Sequence, residues 1–194
     1  MYKLYSKKGT CSRAINALLN ALEQKFELID ASKIENYKSI NPTGAVPFLI
    51  DGQIQIQEGA AIATYLMDKH NSPMLPKDNL QQRANALQWM MFANATVHPT
   101  YSRMFFFMKN GKDQNMMNLT AKRINELWKI ADDQLAKTKF MAGDGMTMAD
   151  IFLTVYAGWN SYFGDSIILG NNVTRMVKET SSSAAFQKAV ELEK

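Results

Sequence analysis

Several things are scarce in this chain, and each scarcity removes a class of function. It carries one cysteine, Cys11, among 194 residues, so no disulfide forms within a chain and no Cys-x-x-Cys dithiol can cycle. Any sulfur chemistry must draw on an external thiol, which points to a small thiol cofactor. Two histidines leave too few soft ligands for a zinc site of the usual kind, and no metal is expected. No apolar run approaches the roughly 18 residues that span a bilayer, so no membrane partner is expected. The opening Met1-Tyr-Lys-Leu-Tyr-Ser-Lys-Lys lacks the apolar stretch of a secretory signal, and the expected compartment is the cytoplasm. The formal net charge of +4 is modest and the basic residues are scattered, so nucleic acid is not an expected partner either.

What is present reads as an ordinary globular protein, with 46% hydrophobic and 21% charged residues and room for one large domain or two small ones. The first third alternates short strands and helices. Tyr2 to Ser6 and Phe26 to Asp30 read as strands, presumed parallel because a helix with Ile15, Leu18, Leu19 and Leu22 at helical spacing lies between them. A weaker helical segment follows near Ser32 to Ser39. Two prolines in Asn71-Ser-Pro-Met-Leu-Pro76 break the pattern, and beyond them no strand is evident. The expected division is residues 1–72, a linker at 73–79, and a helical unit at 80–194. Within the last, the pattern predicts a long helix from Leu80 to Lys109 with a kink near Pro99, and a second from Asp113 to Lys137. Thr147-Met-Ala-Asp150 is a capping-box variant that introduces Ile151, Val155 and Trp159, spaced by four.

The most informative stretch is Asn41-Pro-Thr-Gly-Ala-Val-Pro-Phe-Leu-Ile50, closely followed by Gln57-Glu-Gly-Ala-Ala-Ile62. Pro42 and Gly44 turn the loop, and Pro47 fixes φ where an apolar strand begins. Asp51-Gly52 is a hairpin signal. Glu58 stands at the first turn of a helix in which Ala61, Ile62, Tyr65 and Leu66 are expected to share a face. The Gly59 N–H next to it carries no side chain to obstruct it. An acceptor beside several donors suits an amino-acid head group. Cys11 follows a Gly9-Thr10 turn and opens the first helix, where free N–H groups and the helix dipole are expected to lower a thiol pKa by about half a unit to one unit.

At these residues the sequence resembles the glutathione S-transferase superfamily. The loop, hairpin and helix start match its glutathione site at Val46, Pro47, Glu58, Gly59, Ala61 and Ile62. Thr147 and Asp150 match its folding box in the sixth helix. Gly9-Thr10-Cys11-Ser12 and Ala93-Asn-Ala-Thr-Val-His98 are similar to the beta class, which implies Cys11 and His98 as the active-site pair. The resemblance implies a thioredoxin-like α/β domain followed by an all-α domain, a homodimer, and glutathione as co-substrate. Glutathione would lie along Val46-Pro47 as an added strand. Its head would meet Glu58 and Gly59, and its glycyl carboxylate Lys33. Tyr5, Ser6, Thr10 and Ser12 are rival hydroxyl donors toward the sulfur. Lys7 and Lys8 replace the Ser-Pro common in beta-class relatives, and the acceptor, an apolar electrophile, would come against a subset of the apolar residues from Met90 to Met108. Conjugation to that electrophile and thiol transfer through Cys11 are both implied. Alternatives are a zeta-type glutathione-dependent isomerase and a non-catalytic interaction or carrier protein with the same fold.

Overall fold

The strands form where the pattern places them. The structure, a computed structural model, describes residues 1–111 and 113–194. Strand β1 (Tyr2–Ser6) lies parallel to β2 (Phe26–Asp30), and on its other side antiparallel β3 (Phe48–Asp51) carries β4 (Ile54–Gln57), giving the order β2-β1-β3-β4. Helix α1 (Ser12–Ala21) makes the crossover between β1 and β2, and its residues Ile15, Leu18 and Leu19 are fully buried. The turn from β3 to β4 is Gly52-Gln53, one residue later than the Asp51-Gly52 signal suggests, because Asp51 still pairs with Ile54; Gly52 takes φ +60°.

Two local expectations need correction. No helix forms over Ser32 to Ser39. Two 3₁₀ turns stand there, Ala31–Lys33 and Tyr37–Ser39, the first closed by the Asp30 carboxylate accepting from Ser32 N–H at 2.9 Å. The buried face of α2 (Gly59–Lys69) is Ile62, Ala63, Leu66 and Met67, while Ala61 is exposed. His70, which follows that helix, sets its Nε2 2.7 Å from the Tyr2 hydroxyl.

The helical part begins with α3 (Leu80–Met91), continues through a π-helical stretch (Phe92–Val97) and runs on as α4 (His98–Lys109). Pro99 explains the interruption of the single helix expected here. It has no N–H, and its ring would meet the carbonyl four residues back, so the preceding turns widen. Helices α5 (Gln114–Leu135), α6 (Met148–Gly158), α7 (Asn171–Ser181) and α8 (Ala184–Leu192) complete the chain. The capping box forms as the sequence implies. Fully buried Asp150 accepts from Thr147 N–H at 2.8 Å, Thr147 hydroxyl at 2.9 Å and Met141 N–H at 2.8 Å, which fixes the start of α6.

One continuous apolar core runs from Leu4 and Leu18 in the sheet region through Phe152 and Tyr156 of α6 to Phe186 of α8. A small second core, Tyr5, Ala31, Tyr37 and Phe48, lies apart from it. The Asn41-to-Pro47 loop is tied to this second core, since Tyr37 hydroxyl and Asn41 Nδ2 both donate to the Ala45 carbonyl, at 3.0 and 2.9 Å. Among the described residues no helix is long and apolar enough to cross a membrane.

Candidate active site

A cavity of about 480 Å³ opens between the β1–α1 loop, the proline loop, α4 and the end of α6. Cys11, Thr10, Val46 and His98 all line it, so residues far apart in sequence meet here as the motifs imply. The proline loop reaches the cavity through Gly44 at φ +67°, a backbone shape a side chain would strain, and it carries Val46 to a cis bond with Pro47.

Cys11 caps α1 and is half-buried, and its thiol donates to the Val46 carbonyl at 3.4 Å. Burial pushes this thiol up to about 11; the N–H groups of Cys11 and Ser12 pull the other way, and the negative charge of Glu58 adds to the rise. The expected lowering by the helix end is therefore overturned, because desolvation outweighs two N–H groups at a half-closed site. The resting group is a protonated donor and no thiolate.

His98 stands at the junction of the π stretch and α4, its ring 5.4 Å from that of Tyr156 and 5.6 Å from that of Trp159. Desolvation lowers its pKa, so the imidazole is neutral at pH 7. The rival hydroxyls are otherwise engaged. Ser12 Oγ lies 2.7 Å from both Ser6 Oγ and Thr10 Oγ1, and Thr10 also donates to the Lys7 carbonyl at 2.8 Å, while Tyr5 packs on Tyr37 and Phe48.

Glu58, Gly59 and Pro47 do not line the cavity, although Pro47 follows lining residue Val46 and the charge of Glu58 reaches Cys11. Exposed Glu58 precedes α2 with φ +73°, a left-handed backbone that is costly for a residue with a side chain. Gly59 is the first residue of α2, where N–H groups have no partner within the helix. A Cβ there would lie 3.2 Å from both Asn94 Oδ1 and Phe152 Cζ, so α2 packs against the helical part with little room for a side chain at this position. Lys33 does not line this cavity. The 3₁₀ turn after β2 sets its ammonium 3.8 Å from Asp30, beside a second cavity that shares Lys8 with the first.

Sequence reasoning missed Lys7, Lys8, Ser102, Trp159 and Tyr162 as lining residues, and of the many apolar residues considered in the fourth helix it is Phe105 that faces the cavity. A signal existed for Trp159, which ends the four-residue series from Ile151, but periodicity marks it as core and gives no hint that its indole N–H donates to the Gly9 carbonyl at 2.8 Å. Among the described residues no group of three or more His, Cys, Asp or Glu is placed to hold a metal ion.

The family model "Glutathione S-transferase, N-terminal domain" matches residues 4–74. The chain is 31% identical over 198 residues to "Glutathione S-transferase GST-4.5" of Xanthomonas campestris pv. campestris, covering 95% of this chain and 97% of that one. Among solved structures it is similar to a glutathione S-transferase from Xylella fastidiosa, with a TM-score of 0.89 and 26% identity over 100% of this chain and 98% of the other. A sphingomonad glutathione S-transferase complexed with glutathione shares the fold at a TM-score of 0.87 and 24% identity, over 98% of both chains. A relative above 30% identity along nearly its whole length, together with that fold and a cavity between its α/β and helical parts, settles the matter of kinship: this chain belongs to the glutathione S-transferase family.

Proposed function

We propose that the chain is a glutathione transferase that joins glutathione to an apolar electrophile, with Cys11 as hydrogen-bond donor and His98 as proton acceptor. The convergence of Cys11, Val46 and His98 on one cavity carries this reading. Glutathione lies along Val46-Pro47, with its head at Glu58 and the Gly59 N–H and Thr10 beside its sulfur. As its cysteinyl N–H takes the Val46 carbonyl, the Cys11 thiol loses that acceptor and turns to the glutathione sulfur. Neutral His98 takes the proton from the glutathione thiol. The sulfur then forms a bond to the electrophilic carbon, the leaving group departs with its bonding pair, and the proton passes to solvent. A Cys11 thiol held near 11 weighs against the alternative in which Cys11 itself attacks a disulfide. Lys33 stands outside the lining of this cavity, 3.8 Å from Asp30.

The same proposal includes the division at 1–72, 73–79 and 80–194, residence in the cytoplasm, and a homodimer. Exposed Ile54, Met91 and Phe106 supply apolar surface for such a contact. The reading is tested by titrating glutathione into native protein, Cys11→Ala and Glu58→Ala in a calorimeter, alongside conjugation of a chloronitrobenzene. Glutathione should bind the native protein, bind Glu58→Ala far more weakly, and be conjugated more slowly by Cys11→Ala. Failure of the native protein to bind glutathione would sink the proposal. A stable glutathione adduct on Cys11, seen by intact mass, would replace conjugation with thiol transfer.

A further inference from the structure

Two lysines, Lys7 and Lys8, line the cavity, and no aspartate or glutamate does so among the described residues. Their backbone is fixed at several points. Lys7 N–H donates to Ser12 Oγ at 3.3 Å, and the Lys7 carbonyl accepts from Thr10 N–H at 3.2 Å and from its hydroxyl at 2.8 Å. The adjoining Gly9 is held from both sides, its N–H by Glu193 at 3.1 Å and its carbonyl by Trp159 at 2.8 Å. The loop that carries the two cations is therefore held on either side of Lys8, at Lys7 and at Gly9.

Among the described residues neither lysine forms an ion pair. The nearby acids are engaged by others: Glu193 by Arg13 at 2.6 Å, and Asp30 by Ser32 and Lys33, with Lys7 adding a weaker pull on Asp30. Glu58 is within electrostatic reach of Cys11 but outside the cavity lining. Facing this positive rim is an aromatic wall in which Phe105 lies edge-on to both Trp159 and Tyr162, with 5.7 Å between ring centroids in each pair.

An uncharged ligand filling this space gains nothing from the two ammonium groups, of which Lys7 is half-buried and Lys8 exposed. A planar apolar body with one anionic substituent satisfies both sides at once, the ring against the wall and the anion at the rim. We infer that the electrophile this chain takes is an aromatic or similarly planar apolar molecule bearing a carboxylate or sulfonate, held by Lys7 and Lys8. For its catalytic consequence this rests on the glutathione reading; the anion preference itself does not.

The experiment pairs an acid with its neutral isostere in the full-length protein. Conjugation of 4-chloro-3-nitrobenzoate is compared with that of 4-chloro-3-nitrobenzamide, and calorimetry compares unreactive 3-nitrobenzoate with 3-nitrobenzamide, so that a catalytically silent protein still gives an answer. The acid should be favoured by about tenfold in kcat/KM and in Kd at low salt, less so at high salt. The double variant Lys7→Met, Lys8→Met should abolish the preference and leave the KM for glutathione within about twofold. The variant Lys7→Arg, Lys8→Arg should keep the preference, which separates charge from folding. Equal handling of acid and amide, or a preference that survives in the methionine variant, overturns the inference. So does a rise in glutathione KM with both acceptors at an unchanged ratio, which assigns the lysines to the glycyl carboxylate of glutathione. An acid preference without glutathione binding overturns the proposed function and leaves this inference standing.

Discussion

Raising the pH strips the proton from Cys11 much later in the folded protein than in the unfolded chain, and the difference is measurable as stability. An unfolded cysteine ionises near about 8.5, whereas burial beside the Val46 carbonyl and Glu58 pushes Cys11 up to about 11. Below about pH 8.5 the thiol is protonated in both states and its contribution is fully present. Above that the unfolded chain gives up its proton first, so the folded state loses about 1.4 kcal/mol per pH unit until the folded group also ionises, roughly 3 kcal/mol in all. Other groups titrate in the same range, so the quantity to follow is the difference in urea unfolding free energy between native protein and Cys11→Ala, measured from about pH 7 to about pH 10.5. That difference should stay level up to about pH 8.5 and fall from there upward. Alkylation by iodoacetamide supplies a second measure: its rate should climb about tenfold per pH unit with no plateau below about pH 10, because only the thiolate reacts. Poor access slows the reaction at every pH alike, so the midpoint is diagnostic and the absolute rate is not. Glu58→Gln should move the midpoint down. A plateau below about pH 9, together with a flat stability difference, would refute the reasoning and return Cys11 to a thiol activated by its helix end.

Glu58→Gly should release the left-handed backbone at φ +73° and raise stability by about 1 kcal/mol, or about 2–4 °C in Tm, while glutathione binding is lost. Gains in both, or losses in both, would contradict the roles given to this residue. Gly59→Ala should lower stability by about 1 kcal/mol in urea unfolding, since its Cβ meets buried Phe152 at 3.2 Å and overpacking outweighs the helix preference of alanine. Asp150→Ala should cost about 3 kcal/mol, because the buried N–H groups of Met141 and Thr147 lose their acceptor; the urea midpoint should drop with the m-value unchanged.

The parts legible in the sequence are those whose cause is local. Strands β1 and β2 have the predicted bounds because their apolar runs end at turn residues, and the Thr147–Asp150 box closes because both partners lie within one helical turn. The meeting of Cys11 with Val46 was legible only through resemblance, as no spacing reveals that residues 35 apart share a hydrogen bond. What failed was set by context. The thiol pKa depends on how much protein covers it, a quantity absent from the helix-end argument. Lys33 was placed by analogy, and it stands on the Asp30–Ser32 turn outside the cavity lining. Lys7 and Lys8 looked like a departure from a familiar loop, and only the three-dimensional lining gives them a role.

The grip on Gly9 has a bearing on how the protein is made. Glu193, its side chain 3% exposed and paired with Arg13, secures an amide 184 residues earlier in the chain. A nascent polypeptide emerges from its amino end, so the sheet and proline loop are available long before the residue that fastens the cysteine loop has been added. Until then Cys11 sits on a loop with one anchor missing, and Trp159, the other anchor of Gly9, also arrives late. The arrival of Glu193, as much as the sulfur chemistry of the first helix, therefore decides when the cavity takes its working shape.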